Sequence, residues 1–151
     1  MRFKDIFENK STGTYIGINL SDSSIEKLNK WCTESLIPNC NKEFHVTFIY
    51  SKDDLPEDLE KPNYNLKINR NTYEYALFGD IENILVLKFK CDDLVDLWNK
   101  LRKKYNFQYD YPNYIPHITI SYNVPKEFNI KKLELPNFPI ELIGDYRETL
   151  F

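Results

Sequence analysis

Histidine is scarce in this chain, with two in 151 residues, and cysteine nearly so, with three. Neither forms a metal-binding pattern: no His-x-x-x-His, no Cys-x-x-Cys and no Cys/His cluster occurs, so no metal and no cofactor is expected. An odd number of cysteines (Cys32, Cys40, Cys91) without an export signal suggests reduced thiols. No apolar run approaches the ~20 residues that cross a bilayer, which argues against a membrane partner. The start, Met-Arg-Phe-Lys-Asp-Ile-Phe-Glu, has acidic residues where a signal peptide would be apolar, so a soluble, cytoplasmic protein is expected. Basic excess is also missing. The formal net charge is −3, and the closest approaches to a basic stripe, residues 100–104 and 126–132, are short. That excludes a protein that tracks long nucleic acid but leaves room for a small nucleotide, which needs only one or two phosphates held. Hydrophobic residues make up 42% of the sequence. A chain of this length with that share folds around a packed core, expected as a single domain over 1–151 that buries ~70% of its unfolded surface.

The two histidines occur in the same setting. His45 opens His-Val-Thr within Glu-Phe-His-Val-Thr-Phe-Ile-Tyr, and His117 opens His-Ile-Thr within Ile-Pro-His-Ile-Thr-Ile-Ser-Tyr. A lone strand histidine ordinarily makes one hydrogen bond and no chemistry. A Ser or Thr two places after a His arises by chance roughly one time in eight, so its occurrence at both is a ~2% event, which favours a motif. Strand periodicity puts His and Thr on one face. Phe44, Val46, Phe48 and Tyr50 then share the other face of the first strand, with Ile49 on the histidine side. In the second strand Ile118, Ile120 and Tyr122 alternate with His117, Thr119 and Ser121.

The surrounding pattern repeats. Thr14–Leu20 reads as a strand, Ser21 to Ser24 as N-cap candidates, and Ile25, Leu28, Trp31 and Cys32 as the apolar stripe of a helix that Pro38 and Asn39 end. Ile84–Lys90 reads as a strand, followed by a helix from Asp92 and Asp93 with Leu94, Leu97, Trp98 and Leu101 on its apolar face and Lys100, Arg102, Lys103 and Lys104 at its basic end. Strand, helix, His-x-Thr strand thus occurs twice, with about thirty residues from the first strand to the histidine each time. Between the halves, Asn65–Arg70 and Thr72–Phe78 read as two strands turning near Asn71. A last strand covers Pro139–Ile143 and continues towards Gly144. The expectation is an α+β fold: two pseudo-symmetric β-sheet lobes with outer helices and a central groove where the two His-x-Thr strands meet.

Two imidazoles facing one anion make an acid–base pair. A histidine titrates near 6.5 when unperturbed, so one ring can be neutral and remove a proton while the other is charged and delivers one. Each step contributes about 10²–10⁴-fold. Thr47 and Thr119 would donate hydrogen bonds to the non-bridging oxygens of a phosphate. The reaction this suits is cleavage of a phosphodiester by a ribose 2′-hydroxyl or water. Tyr15, alternating with Gly17 and Asn19, is a candidate substrate contact. Tyr73 and Tyr75 are candidates for stacking on a base, and Glu141 for a base edge or ribose, with Asp145 and Glu148 as alternatives to it.

At this point the chain resembles the 2H (two-histidine) phosphoesterase superfamily, carried by His45/Thr47, His117/Thr119 and the duplicated layout. The similarity is greatest to the phage anti-CBASS cyclic-oligonucleotide phosphodiesterases, on Ser-Thr-Gly-Thr-Tyr-Ile-Gly (11 to 17), Tyr-Ile-Pro-His-Ile-Thr-Ile-Ser-Tyr (114 to 122) and the compact size. The resemblance implies metal-independent cleavage of the 3′–5′ bonds of cyclic di- and trinucleotide messengers, with attack by the 2′-hydroxyl and a 2′,3′-cyclic phosphate product that opens to a 3′-phosphate. It also implies a place in the host cytoplasm for a phage-encoded chain. Two other readings compete. One is a 2H enzyme acting on RNA ends or 2′–5′ oligoadenylates. The other is a sponge that sequesters a nucleotide intact, for which two complete acid–base motifs are more than binding requires.

Overall fold

The computed structural model describes residues 13–62 and 65–149. Seven strands and two helices follow in the order β1 (Thr14–Leu20), α1 (Asp22–Glu34), β2 (His45–Ser51), β3 (Leu66–Ile68), β4 (Glu74–Phe78), β5 (Ile84–Lys88), α2 (Asp92–Tyr105), β6 (His117–Ser121) and β7 (Ile140–Glu148). The strands form one antiparallel sheet in the order β3-β7-β1-β2-β6-β5-β4. The expected lobes are its two halves. A pseudo-twofold between β2 and β6 relates β1 to β5 and β7 to β4, leaving β3 as an extra edge strand.

The helices form where the sequence places them. Ser21 caps α1 by accepting the Ser24 N–H at 3.1 Å. Ser24, Leu28 and Cys32 are its buried stripe, with Ile25 and Trp31 packed at its margins. In α2 the buried stripe is Leu94, Trp98 and Leu101. Asp92 and Asp93 lie in its first turn and Arg102, Lys103 and Lys104 in its last, as the helix dipole favours. Asn106, left-handed at φ 49°, closes it by donating its N–H to the Arg102 carbonyl. Both stripes enter one core with Ile16, Ile18, Val46, Phe48, Leu87 and Ile118, so the helices cover one face of the sheet.

The two strands expected to turn about Asn71 do not pair with each other. Arg70–Thr72 is a single 3₁₀ turn, β3 pairs with β7, and β4 pairs with β5 at the opposite edge of the sheet. This connection shapes the molecule. Six residue steps from Ile68 to Glu74 span at most ~21 Å, whereas the edges of a flat seven-stranded sheet lie ~29 Å apart. The sheet therefore curls into a half-barrel. Among the described residues no helix is long and apolar enough to cross a membrane.

Candidate active site

Strands β2 and β6 join the two halves of the sheet at Val46 opposite Ile118, with an isolated bridge from Cys40 to Ser121 beyond it. The Val46 and Ile118 side chains are fully buried in the core. Continuing the antiparallel register by one residue sets His45 opposite Thr119 and Thr47 opposite His117, with all four side chains on the sheet's other face. In a regular ladder such diagonal neighbours lie ~7–8 Å apart, and His117 feels the charge of His45. All four residues are partly exposed while Val46, Phe48, Ile118 and Ile120 between and beside them are buried. The structure thus brings both expected pairs together on one open face.

The alternation expected downstream of each Thr fails, and for the same reason twice. On β2 the register passes from Gly17 opposite Thr47 to Ile16 opposite Ile49, leaving Phe48 as a bulge. Ile49, expected on the histidine side, is fully buried in the core, and Tyr50, expected in the core, is 53% exposed. On β6 the register passes from Val86 opposite Thr119 to Leu85 opposite Ser121, leaving Ile120 as the bulge. Ser121 is buried and donates to the Pro38 carbonyl at 2.6 Å, and Tyr122 is 56% exposed.

The two histidines have different surroundings. His117 Nδ1 lies 2.8 Å from the Ile115 carbonyl oxygen. A carbonyl only accepts, so Nδ1 carries the hydrogen and the far nitrogen Nε2 holds the lone pair when the ring is neutral. Burial, with the nearby His45 charge, holds its pKa below the ordinary histidine value against the opposing effect of the Ile115 contact. Phe78 stands against the ring, with centroids 5.1 Å apart. His45 instead meets tyrosines, with ring centroids 6.1 Å from Tyr15 and 6.5 Å from Tyr146, both near perpendicular.

Tyr15 lies beside Thr47 and His45. Its hydroxyl is 3.1 Å from Thr47 Oγ1. The Tyr146 ring lies against the Tyr15 ring, with centroids 6.0 Å apart and planes tilted by 47°. Burial pushes the Tyr15 phenol well above its ordinary range. Gly17 makes room for Tyr146, because a Cβ there would lie 2.5 Å from Tyr146 Cζ and Oη. Tyr146 escaped the sequence reading, though Gly17 inside a strand was a signal of close approach.

Of the other expected contacts, Tyr75, Tyr73, Glu141 and Asp145 do not join this cluster. Tyr75 pairs with Leu87 in the row of Ile118, on the helix-covered face. Its ring stacks on Trp31, with centroids 6.1 Å apart and planes 12° apart, and its hydroxyl donates to the Glu134 carbonyl at 2.6 Å. Tyr73 is buried and donates to the Phe138 carbonyl. Both tyrosines fasten the 133–138 segment, which is why neither ring is free to meet a base from the histidine side. Glu141 lies opposite Lys67, three residues along β7 from Gly144, which shares a row with Asn19 and His45. Its backbone is tied to Ser24 and Ser21 at the start of α1. Asp145 pairs with the core residue Ile18, whereas Glu148 pairs with Tyr15 and so borders the cluster. Residues the sequence reading missed are Tyr146, Phe78, Tyr50, Tyr122 and Lys88, the last opposite His117 and 3.6 Å from Glu74.

Two side chains brace the seam, one from the approach to each motif strand. Asn41, before β2, donates to the Thr119 carbonyl at 3.3 Å, and Tyr114, before β6, donates to the Thr47 carbonyl at 2.7 Å. Each half thereby holds the other half's motif threonine.

The model of the family described as anti-CBASS protein Acb1 matches residues 12–150. The anti-CBASS protein Acb1 of Salmonella phage S16 is 28% identical over 160 residues, covering 99% of this chain and 93% of that protein. Its counterpart in Vibrio phage KVP40 is 26% identical, covering 93% and 89%. Among solved structures, E. coli LigT complexed with NADP+ superposes with a TM-score of 0.64 at 14% identity, covering 93% of this chain and 88% of that one. LigT complexed with phosphate gives a TM-score of 0.62 at 15% identity, covering 91% and 86%. At such identities the LigT likeness establishes a shared fold.

Proposed function

The chain belongs to the anti-CBASS protein Acb1 family, and from that membership and its paired His-Thr strands we propose that it is a phosphodiesterase that counters CBASS defence by opening 3′–5′ bonds of cyclic di- or trinucleotide messengers. The observation that carries the reading is the Val46–Ile118 pair, which sets both motifs on one face in opposite directions. Such a square presents an imidazole to either side of one phosphorus atom and a hydroxyl beside each.

His117 is the first-step base in this reading. Its Nδ1–H is spent on the Ile115 carbonyl, its Nε2 is left as acceptor, and burial favours its neutral form. Nε2 takes the proton of the ribose 2′-hydroxyl as that oxygen attacks phosphorus. The bond from phosphorus to the 5′-oxygen breaks, and His45 delivers a proton to that oxygen. The product is a linear oligonucleotide with a 5′-hydroxyl and a 2′,3′-cyclic phosphate. Thr47 and Thr119 donate to the non-bridging oxygens, where charge grows in the transition state. Tyr15 holds the Thr47 hydroxyl in place. Water attack with the roles reversed opens the cyclic phosphate to a 3′-phosphate. No step draws on a metal ion.

The test is incubation with a panel of 3′,3′-cyclic di- and trinucleotides in EDTA, with 2′–5′ oligoadenylate and 2′,3′-cyclic mononucleotide alongside, and products read by mass spectrometry. Linear products with a cyclic phosphate end are expected from the cyclic oligonucleotides. Intact cyclic nucleotide recovered after denaturation would instead mark a sequestering protein.

A further inference from the structure

The repeated unit is longer than His-x-Thr. Both strands read His-x-Thr, an apolar residue, one more residue, then Tyr: His45 to Tyr50 and His117 to Tyr122. In each the apolar residue after Thr is a bulge, Phe48 or Ile120. A bulge shifts the alternation by one, so the residue three after Thr returns to the Thr's own face. In a regular strand that residue would point into the core. Two independent irregularities at equivalent positions thus serve the same end, which is to bring one tyrosine from each half onto the catalytic face.

The placement is visible in the contacts. The Tyr50 ring meets the Tyr15 ring at 6.2 Å and 87°, beside the Thr47 hydroxyl. Tyr122 follows the register shift of β6, turned out of the core beside the buried Ser121. Yet each ring remains more than half exposed, 53% for Tyr50 and 56% for Tyr122. Single exposed aromatics are ordinary on a protein surface. A matched pair, turned outward by matched bulges beside a matched pair of catalytic motifs, calls for a common cause.

We infer that Tyr50 and Tyr122 are the base-stacking platforms of the site, one for the nucleotide on each side of the scissile phosphate. This rests on the phosphodiesterase reading above. The strands run antiparallel, so Tyr50 and Tyr122 lie towards opposite ends of the His-Thr square. The two nucleosides joined by a phosphodiester leave the phosphorus in opposite directions, and the pseudo-twofold offers each an aromatic face. Stacking accepts any base, so the pair supplies affinity without strong base preference.

The experiment compares wild type with Tyr50→Ala, Tyr122→Ala, Tyr50→Phe and Tyr122→Phe, in EDTA. The two probes are a 3′,3′-cyclic dipurine nucleotide and a uridine 3′-aryl phosphate, which carries one base and its own 2′-hydroxyl. Cleavage is followed kinetically, and dinucleotide binding calorimetrically on each protein with His117→Ala added. For the dinucleotide each Ala change should raise KM and Kd on the order of 5- to 150-fold, with kcat within a few-fold and Tm within about 2 °C. Each Phe change should stay within about twofold, because the ring and not the hydroxyl is used. On the single-base probe only one of the two Ala changes should matter. KM and Kd unchanged in both Ala variants overturn the inference, as does equal loss in the Phe variants. Wild type that binds the dinucleotide but leaves both esters intact overturns the phosphodiesterase reading instead, and the Kd series then decides the role of the tyrosines alone.

Discussion

At the scale of single residues, the site separates two histidines that share one His-x-Thr pattern. The carbonyl at Ile115 fixes the His117 tautomer, and burial depresses its pKa. A base with a depressed pKa stays neutral to lower pH. The acid limb of kcat/KM should therefore fall below 6.5, the ordinary histidine value, as a pH–rate profile in EDTA would report. A limb at or above that value would contradict the assignment of His117 as base. His45→Ala and His117→Ala should each reduce turnover by about 10²–10⁴-fold. The threonines act through one hydroxyl each. Thr119→Ala or Thr47→Ala should lower kcat on the order of 10²-fold while KM changes little, and the Ser variants should recover most of it. The residues of this square were legible because a period of two and a fixed His-to-Thr spacing are local properties. Their surroundings were not. Tyr146 meets Tyr15 and His45 only because β7 pairs with β1, across a sequence gap that no local pattern spans.

At the scale of elements, regular alternation was the assumption that broke. Ile49 and Tyr50 exchanged faces because the β1–β2 ladder skips Phe48, and a bulge leaves no mark in composition or spacing. Tyr75 was lost to the site for a different reason. Its strand was foreseen, but which face meets the helices depends on pairing with Leu87, and its ring lies against Trp31 of α1. Helix starts and stripes, by contrast, were readable from Ser21, Asp92 and the apolar spacing, since helices are built from neighbours in sequence. Bracing between elements gives a further prediction. Tyr114 is buried and donates to the Thr47 carbonyl. Tyr114→Phe keeps the ring but removes that hydrogen bond, at a cost of about 0.5–1.5 kcal/mol in stability. Urea unfolding should show it, and kcat should fall several-fold because Thr47 loses its support. Gly17→Ala should act likewise through Tyr146, which occupies the space that a Cβ would need.

At the scale of the whole molecule, the duplicated β-α-β order survived from sequence to structure, while the sheet's edges did not. Segments 65–70 and 72–78 read as two strands turning about Asn71 because they are adjacent in sequence, yet the partner of the first is β7, a pairing with residues 140–142. One chain supplies both halves of the square, so mixing the His45→Ala and His117→Ala proteins should restore no activity. Recovery would mean that subunits exchange halves. The depressed pKa of His117 also links to global stability. Below about 6.5 the unfolded chain takes up a proton there that the folded chain refuses. Stability should thus decline as pH falls from about 6.5 towards the lower folded pKa, by at most ~1.4 kcal/mol per pH unit from this group. His117→Gln should flatten that part of the urea-unfolding profile.

The unequal dressing of the two histidines gives an otherwise palindromic scaffold a polarity. Phenylalanine and a backbone carbonyl attend one ring and tyrosines the other. A nucleic-acid linkage is itself directional, since its nucleophile lies on one flank and its leaving group on the other. A site with matching left and right would treat both senses alike, either ring serving as base. Here the flanks differ, so the molecule can tell which way round its ligand has been laid down.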